Sequence, residues 1–332
     1  MKKTCTLILF LVSGCFSGFA QATKPAVGTI EFTSNELTRL IKKDAKIEVI
    51  AEGFQFTEGP VWVEKEKMLV FSDVPANTVY KWTAAKGKEV YLRPSGYTGK
   101  TTRGGFMGSN GLILSPDGKL LLCQHGDRRV AQMDAPLNAP RANYVTVAGT
   151  YKGKKLNSPN DLVFNTAGDL YFTDPAYGFE GGLKDPKKEI PFQGVYKMNK
   201  AGLVTLLTDS IEQPNGIGFF PGGKKLLVAN SAEKKNGWYI YDITSNGSLT
   251  NGKVFYNVRN EKEAGGCDGF KIDKAGNVFA TGPGGLWIFN KSGKLLGKIK
   301  LNGIVAANCA FTPDGKTIFI TASNYLLRVK MQ

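Results

Sequence analysis

Six segments of this 332-residue chain can be laid over one another, and that repeat limits the possible folds more than any other feature. Each opens on a polar residue, runs into an apolar stretch, turns (usually at Asp-Gly, Ala-Gly or Gly-Gly) and enters a second apolar stretch. The leading residues are Glu58, Asn110, Asn160, Asn215, Asp268 and Asn308. They recur at about fifty-residue intervals, shortening to about forty at the last step. Strand, tight turn and strand is the local reading of each unit. Further strand-like runs follow, such as residues 78–82 and 194–198. Four strands per unit of this length predict an all-β chain, a six-bladed β-propeller with four-stranded blades. Forty glycines, grouped between the β-rich runs, fit many tight turns rather than long helices.

The final unit ends at Lys330 with room for three strands. Residues 46–50 (KIEVI) are expected to supply the fourth, closing the ring by pairing the two chain ends and removing an open edge. Before them, Thr33-x-x-Glu36 fits a capping box, and Leu37, Leu40 and Ile41 share one helical face, so a short N-terminal helix is expected. The predicted organisation is a leader over 1–22, an extension with this helix over 23–45 and the propeller over 46–332.

The leader rests on Lys2 and Lys3, the apolar run at residues 6–12 and the small-x-small site Ala20-Gln21-Ala22. It predicts export, to the periplasm or the medium. Val12-Ser13-Gly14-Cys15 also resembles a bacterial lipoprotein box, which would anchor the mature chain through Cys15. No later run is long enough for a transmembrane helix. The formal charge is +15, or +13 without the two leader lysines. The lysines are scattered, and no basic helix, zinc finger or aromatic RNA-binding motif accompanies them, so nucleic acid is not an expected partner. A solvated surface explains them, with attraction of anionic sugar acids as the functional alternative. Cys123, Cys267 and Cys309 are too few for a disulfide framework and read as buried thiols.

In a propeller the first strand of every blade lines the central channel. The six leading residues therefore form one ring at a channel mouth. Their side chains need partners when buried. Water can satisfy amides, but two carboxylates in a low-dielectric site call for a cation. Hard oxygen donors suit Ca²⁺, Mg²⁺ or Mn²⁺, and Ca²⁺ tolerates irregular geometry best. Zn²⁺ is compatible with the carboxylates but less natural with amides. A purely architectural ion or a water-filled channel is the bland alternative.

Residues 56–62 (FTEGPVW), 158–161 (SPND), 172–175 (FTDP), 214–216 (PNG) and 267–269 (CDG), in this order at blade spacing, resemble the gluconolactonase, senescence-marker-protein and luciferin-regenerating-enzyme family of six-bladed propellers. The resemblance covers essentially the whole mature chain. It implies one divalent cation held by Glu58, Asn160, Asn215 and Asp268, hydrolysis of a sugar lactone, and a part for Asp268 in the chemistry. Some mammalian-like members carry an arginine where this chain has Ser158, which favours the bacterial gluconolactonase-like branch.

A divalent cation suits lactone hydrolysis because it polarises a carbonyl and stabilises an oxyanion. Asp268 is the first choice of general base, although a carboxylate held by a dication is a poor one. His125, the chain's single histidine, ends the second strand of blade 2 and should lie at the same mouth, as a proton carrier or as a structural hydrogen-bonder. Asn110 and Asn308 are assigned to substrate or water. Loops 95–109 and 178–192 are lid candidates. Arg103, in the first, is expected either to hold a substrate oxygen or to be ordinary surface. Competing functions are an esterase or organophosphate hydrolase on the same centre, and a non-catalytic propeller binding a sugar or a protein.

Overall fold

The computed structural model describes residues 27–332. The leader, its cleavage site and Cys15 lie outside the described residues. The repeat does form six blades, each an antiparallel sheet. Blade 1 comprises Thr57–Val63, Met68–Asp73, Thr78–Thr83 and Gly87–Leu92. Blade 2 comprises Ser109–Leu114, Leu120–Gln124, Arg129–Met133 and Tyr144–Ala148. Blade 3 comprises Leu162–Phe164, Leu170–Asp174, Gly194–Met198 and Val204–Thr208, and blade 4 Pro214–Phe219, Lys225–Asn230, Gly237–Ile243 and Leu249–Asn257. Blade 5 comprises Phe270–Ile272, Val278–Gly282, Gly285–Phe289 and Leu295–Leu301, and blade 6 Ala306–Phe311, Thr317–Ala322 and Tyr325–Lys330. The innermost strand of each blade packs on that of the next, and blade 6 on blade 1, so the ring is closed.

Closure follows the expected route. Ile47–Glu52 pairs antiparallel with Tyr325–Lys330, with Ile47 opposite Val329. Arg328 Nε donates to Glu48 Oε2 at 2.6 Å across the seam. The segment ahead of it departs from expectation. Gly28–Phe32 is a strand that adds a fifth member to blade 5, pairing with Leu295–Leu301. Its alternation puts Ile30 and Phe32 against the blade 5–6 core, a signal too short to separate from an extension. The helix is one 3₁₀ turn, Asn35–Arg39, and its cap is Ser34, whose hydroxyl accepts from Glu36 N at 3.2 Å. Thr33 instead donates to Leu295 O, because the new strand holds it against blade 5. Leu37 and Ile41 are buried as the helical face requires.

Second strands such as Leu120–Gln124 and Leu170–Asp174 are buried throughout, because both faces of a blade pack on neighbouring blades. Six apolar clusters, one per blade interface, form the core. The three cysteines are free and buried.

Three devices position the ring. In four blades the strand register shifts at the leading residue, between Glu58 and Val61, Ser109 and Leu112, Pro214 and Ile217, and Ala306 and Asn308. Such irregularities re-aim a side chain. A polar residue ending the second strand then pins the backbone just ahead. Asp73 accepts from Gln55 N and Phe56 N, Asp174 from Asn157 N, and Asn230 from Gln213 N. Finally, a glycine after the leading residue lets adjacent blades approach. A Cβ on Gly111 would lie 2.6 Å from Asn160 O, and one on Gly216 2.5 Å from Asp268 O.

Two outcomes are expected. Gly111→Ala, whose backbone is not in the left-handed region, should cost about 1–3 kcal/mol purely by overpacking. It should lower Tm, and an unchanged Tm would refute the close-approach role. Asp174 is held up to about 7 by burial, with backbone donors at Asn157 and Ser158 only partly offsetting it. A carboxyl raised on folding stabilises below its unfolded value and loses that contribution as pH rises through 7. The Tm difference between Asp174→Asn and the parent should therefore grow in the variant's favour from pH 5 to pH 8. A pH-independent difference would contradict this.

Candidate active site and metal centre

A cavity of about 520 Å³ opens at one mouth of the channel. Glu58, Asn110, Asn160, Asn215 and Asp268 line it. The three asparagines are joined in a directed chain of hydrogen bonds. Asn110 Nδ2 donates to Asn160 Oδ1 at 2.9 Å, Asn160 Nδ2 to Asn215 Oδ1 at 2.5 Å, and Asn215 Nδ2 to Ser231 Oγ at 3.0 Å. Ser231 passes its own proton to Cys267 O at 2.6 Å. On the other side, Glu58 Oε2 accepts from Gly59 N at 2.6 Å and from Asn308 Nδ2 at 3.1 Å. Asp268 is half-buried, whereas the other five ring members are buried.

The electrostatics show what this ring lacks. Burial holds the Glu58 carboxyl well above the ordinary range, and Asp161 beneath it adds to the effect. Asp268 is raised by burial and then by Glu58, so each buried carboxylate opposes ionisation of the other. Asp161, next to Asn160 in sequence, is also buried and raised, with the Lys271 ammonium working against the shift. Lys271 Nζ donates to Asn308 Oδ1 at 3.1 Å. Three carboxylates and one ammonium leave a charge of minus two when all are ionised. Among the described residues no group of three His, Cys, Asp or Glu forms a metal cluster. The donors here are two carboxylates and two amides instead. An oxygen-lined site short of two positive charges fits a hard divalent cation, and Glu58, Asn160, Asn215 and Asp268 are the residues that would hold it.

His125 lines the same cavity and is fully buried. Its Nδ1 lies 3.2 Å from Phe106 O. A carbonyl can only accept, so the proton sits on Nδ1 and Nε2 keeps its lone pair. Nε2 has no hydrogen-bond partner. Burial lowers the imidazole to about 4. At neutral pH His125 is therefore uncharged, with Nε2 an open acceptor at the cavity.

The remaining expectations divide. Asn110 reaches the cavity but spends its amide on Asn160. Asn308 lies under the ring, between Lys271, Cys309 N and Glu58, and does not line the cavity. Arg103 also lies outside it. Its guanidinium donates to Gly178 O and, at 3.4 Å, to Gly126 O, and stacks on Tyr97. With Gly104 N donating to Glu180 Oε1 at 2.7 Å, it ties the two lid loops together. Backbone carbonyls take Nη1 and Nη2 of Arg103, and its buried Nε has no hydrogen-bond partner among the described residues. Sequence reading missed Asp161, Lys271, Ser231 and Tyr177. Asp161 alone carried a signal, its place beside a leading asparagine in a motif already recognised.

Residues 56–324 match the SMP-30/Gluconolactonase/LRE-like region. The chain is 39% identical over 326 residues to a gluconolactonase from Zymomonas mobilis, covering 95% of this chain and 90% of the relative. It is 27% identical over 179 residues to the diisopropyl-fluorophosphatase of Loligo vulgaris, about half of each (51% and 55%). The solved gluconolactonase from Xanthomonas campestris superposes with a TM-score of 0.79 at 28% identity, over 93% of this chain and 98% of that one. Six closed blades, an oxygen-donor ring at their axis and this extent of similarity make the chain a member of the SMP-30/gluconolactonase/LRE-like family.

Proposed function

We propose that this protein is an exported lactonase that hydrolyses a sugar lactone with the help of one divalent cation, Ca²⁺ before Mg²⁺, Mn²⁺ or Zn²⁺. Its gluconolactonase-like hydrolase class follows from the family and from similarity to a curated gluconolactonase across nearly the whole chain. The observation that carries the metal is the meeting of two carboxylates, Glu58 and Asp268, with the amides of Asn160 and Asn215 at the floor of one cavity, where no cationic side chain among the described residues lines it. When bound, the cation supplies Lewis acidity to the ester carbonyl and offsets negative charge developing there.

The chain's own residues do the rest. Phe56 and Phe106, edge to face at 5.3 Å, and Phe179 form an apolar wall that suits the C–H face of a sugar ring. Glu180 and Gln213 offer polar contacts for its hydroxyls. Water adds to the carbonyl carbon, the ring C–O bond breaks, and the released alkoxide takes a proton to give the open hydroxy acid. Asp268 receives the proton of the attacking water. Its partial opening to the cavity supports that role, and its ligand role limits its basicity. His125 Nε2 orients the water or a substrate hydroxyl by accepting a hydrogen bond. Phosphotriester hydrolysis is a second reading, favoured by the partial similarity to the fluorophosphatase. Export rests on the leader sequence, with Ala22 cleavage and Cys15 lipidation as its two forms.

With the spontaneous rate subtracted, the calcium-loaded protein should open aldonolactones faster than aryl esters or phosphotriesters. A chelator should abolish turnover. Glu58→Gln and Asp268→Asn should each lose calcium affinity, read by calorimetry, by about a hundredfold or more, because charge count sets affinity in such sites. Turnover surviving both substitutions, or surviving chelation, would sink the assignment. The mature N-terminus, read by mass spectrometry of the exported protein, should begin after Ala22. A diacylglyceryl group on Cys15 would establish the anchored form instead.

A further inference from the structure

Tyr177 lies in the loop after the second strand of blade 3 and lines the cavity. The backbone on both sides of it is held. Ala176 N donates to Gln193 Oε1 at 2.7 Å, and Gly178 N to Ser158 Oγ at 2.9 Å. Gly178 is packed so closely that a Cβ would lie 2.7 Å from the Cβ atoms of both His125 and Ser158. The phenol is therefore presented from a rigid platform rather than a mobile loop.

Its hydroxyl is buried and has no hydrogen-bond partner among the described residues. The polar neighbours are Ser231 and Asn215, with Asp268 close enough to act on its charge. Ser231 already donates to Cys267 O and accepts from Asn215, whose own oxygen accepts from Asn160. Burying a hydroxyl without a partner is costly, and native proteins rarely leave one so. A tyrosine hydroxyl carries its proton at physiological pH and is therefore a donor. The second orphaned atom in this cavity, His125 Nε2, is an acceptor. One unspent donor and one unspent acceptor thus face a single cavity beside the same ring.

We propose that the Tyr177 hydroxyl is the donor that receives the carbonyl oxygen of the bound lactone, stabilising the negative charge gathered there while water adds to the carbonyl carbon. This rests on the lactonase reading above. The phenol keeps its proton throughout. The bond that forms is between the water oxygen and the carbonyl carbon, the bond that breaks is the ring C–O, and the leaving oxygen is protonated from the water. Loss of a preorganised donor of this kind lowers kcat rather than binding.

The test compares calcium-loaded Tyr177→Phe with the parent, since this change removes a single oxygen. Five quantities are read: kcat and KM on an aldonolactone, Kd for an unreactive aldonolactam of the same ring size, calcium Kd, and Tm. Expected are a kcat lower by about a hundredfold with KM and the lactam Kd nearly unchanged. Calcium affinity should be unchanged, and Tm unchanged or raised, because no protein bond is lost. Unchanged kcat in an active parent would overturn the proposal. So would a rise in KM alone, which is uniform binding, or a parallel loss of calcium affinity, which would make the phenol a metal ligand. A Tm several degrees lower would reveal a structural bond and overturn it too. A parent inactive on every aldonolactone would instead overturn the lactonase reading, and this inference with it.

Discussion

Two carboxylates facing each other in a buried site, Glu58 and Asp268, are the constraint that organises this molecule. Neither can ionise comfortably beside the other, and Lys271 answers only the third carboxylate, Asp161. Such an arrangement persists in a folded protein when something positive completes it. The surrounding amides, chained from Asn110 to Ser231, are oriented by their mutual hydrogen bonds. The floor is thus geometrically set before any ligand arrives. Preorganisation of that kind is what electrostatic catalysis needs, because reorientation is not required during the reaction.

The fold maintains this floor by repetition. Register shifts turn the leading side chains inward, strand-end carboxylates and amides pin the backbone ahead of them, and glycines let adjacent blades close. The zipper between Ile47–Glu52 and Tyr325–Lys330 then fixes the circumference. The lid is a separate layer. Arg103 and Glu180 fasten two loops to one another, and Phe106, Phe179 and Glu180 from these loops line the cavity.

Much of this was legible in the chain because the signals are periodic. The polar residue at the head of each unit, the turn dipeptides and the short final unit together required six blades, an axial ring and a closing N-terminal strand. The ligand quartet came from resemblance to a family rather than from spacing. Less legible were contacts without a period. The strand Gly28–Phe32 has five residues, and its partner Leu295–Leu301 is remote in sequence. Arg103 looked available for substrate because nothing in its neighbourhood announced the carbonyls of Gly126 and Gly178.

The sequence by itself determined the repeat, the ring composition and the family, since each is written in residue type at fixed intervals. Only the tertiary structure decided which groups inside the ring are spent and which are free. It showed Asn308 turned to support Glu58, His125 uncharged with one open lone pair, and Tyr177 with an unclaimed proton. Hydrogen-bond satisfaction and burial depend on neighbours drawn from different blades, and no local stretch of chain specifies them.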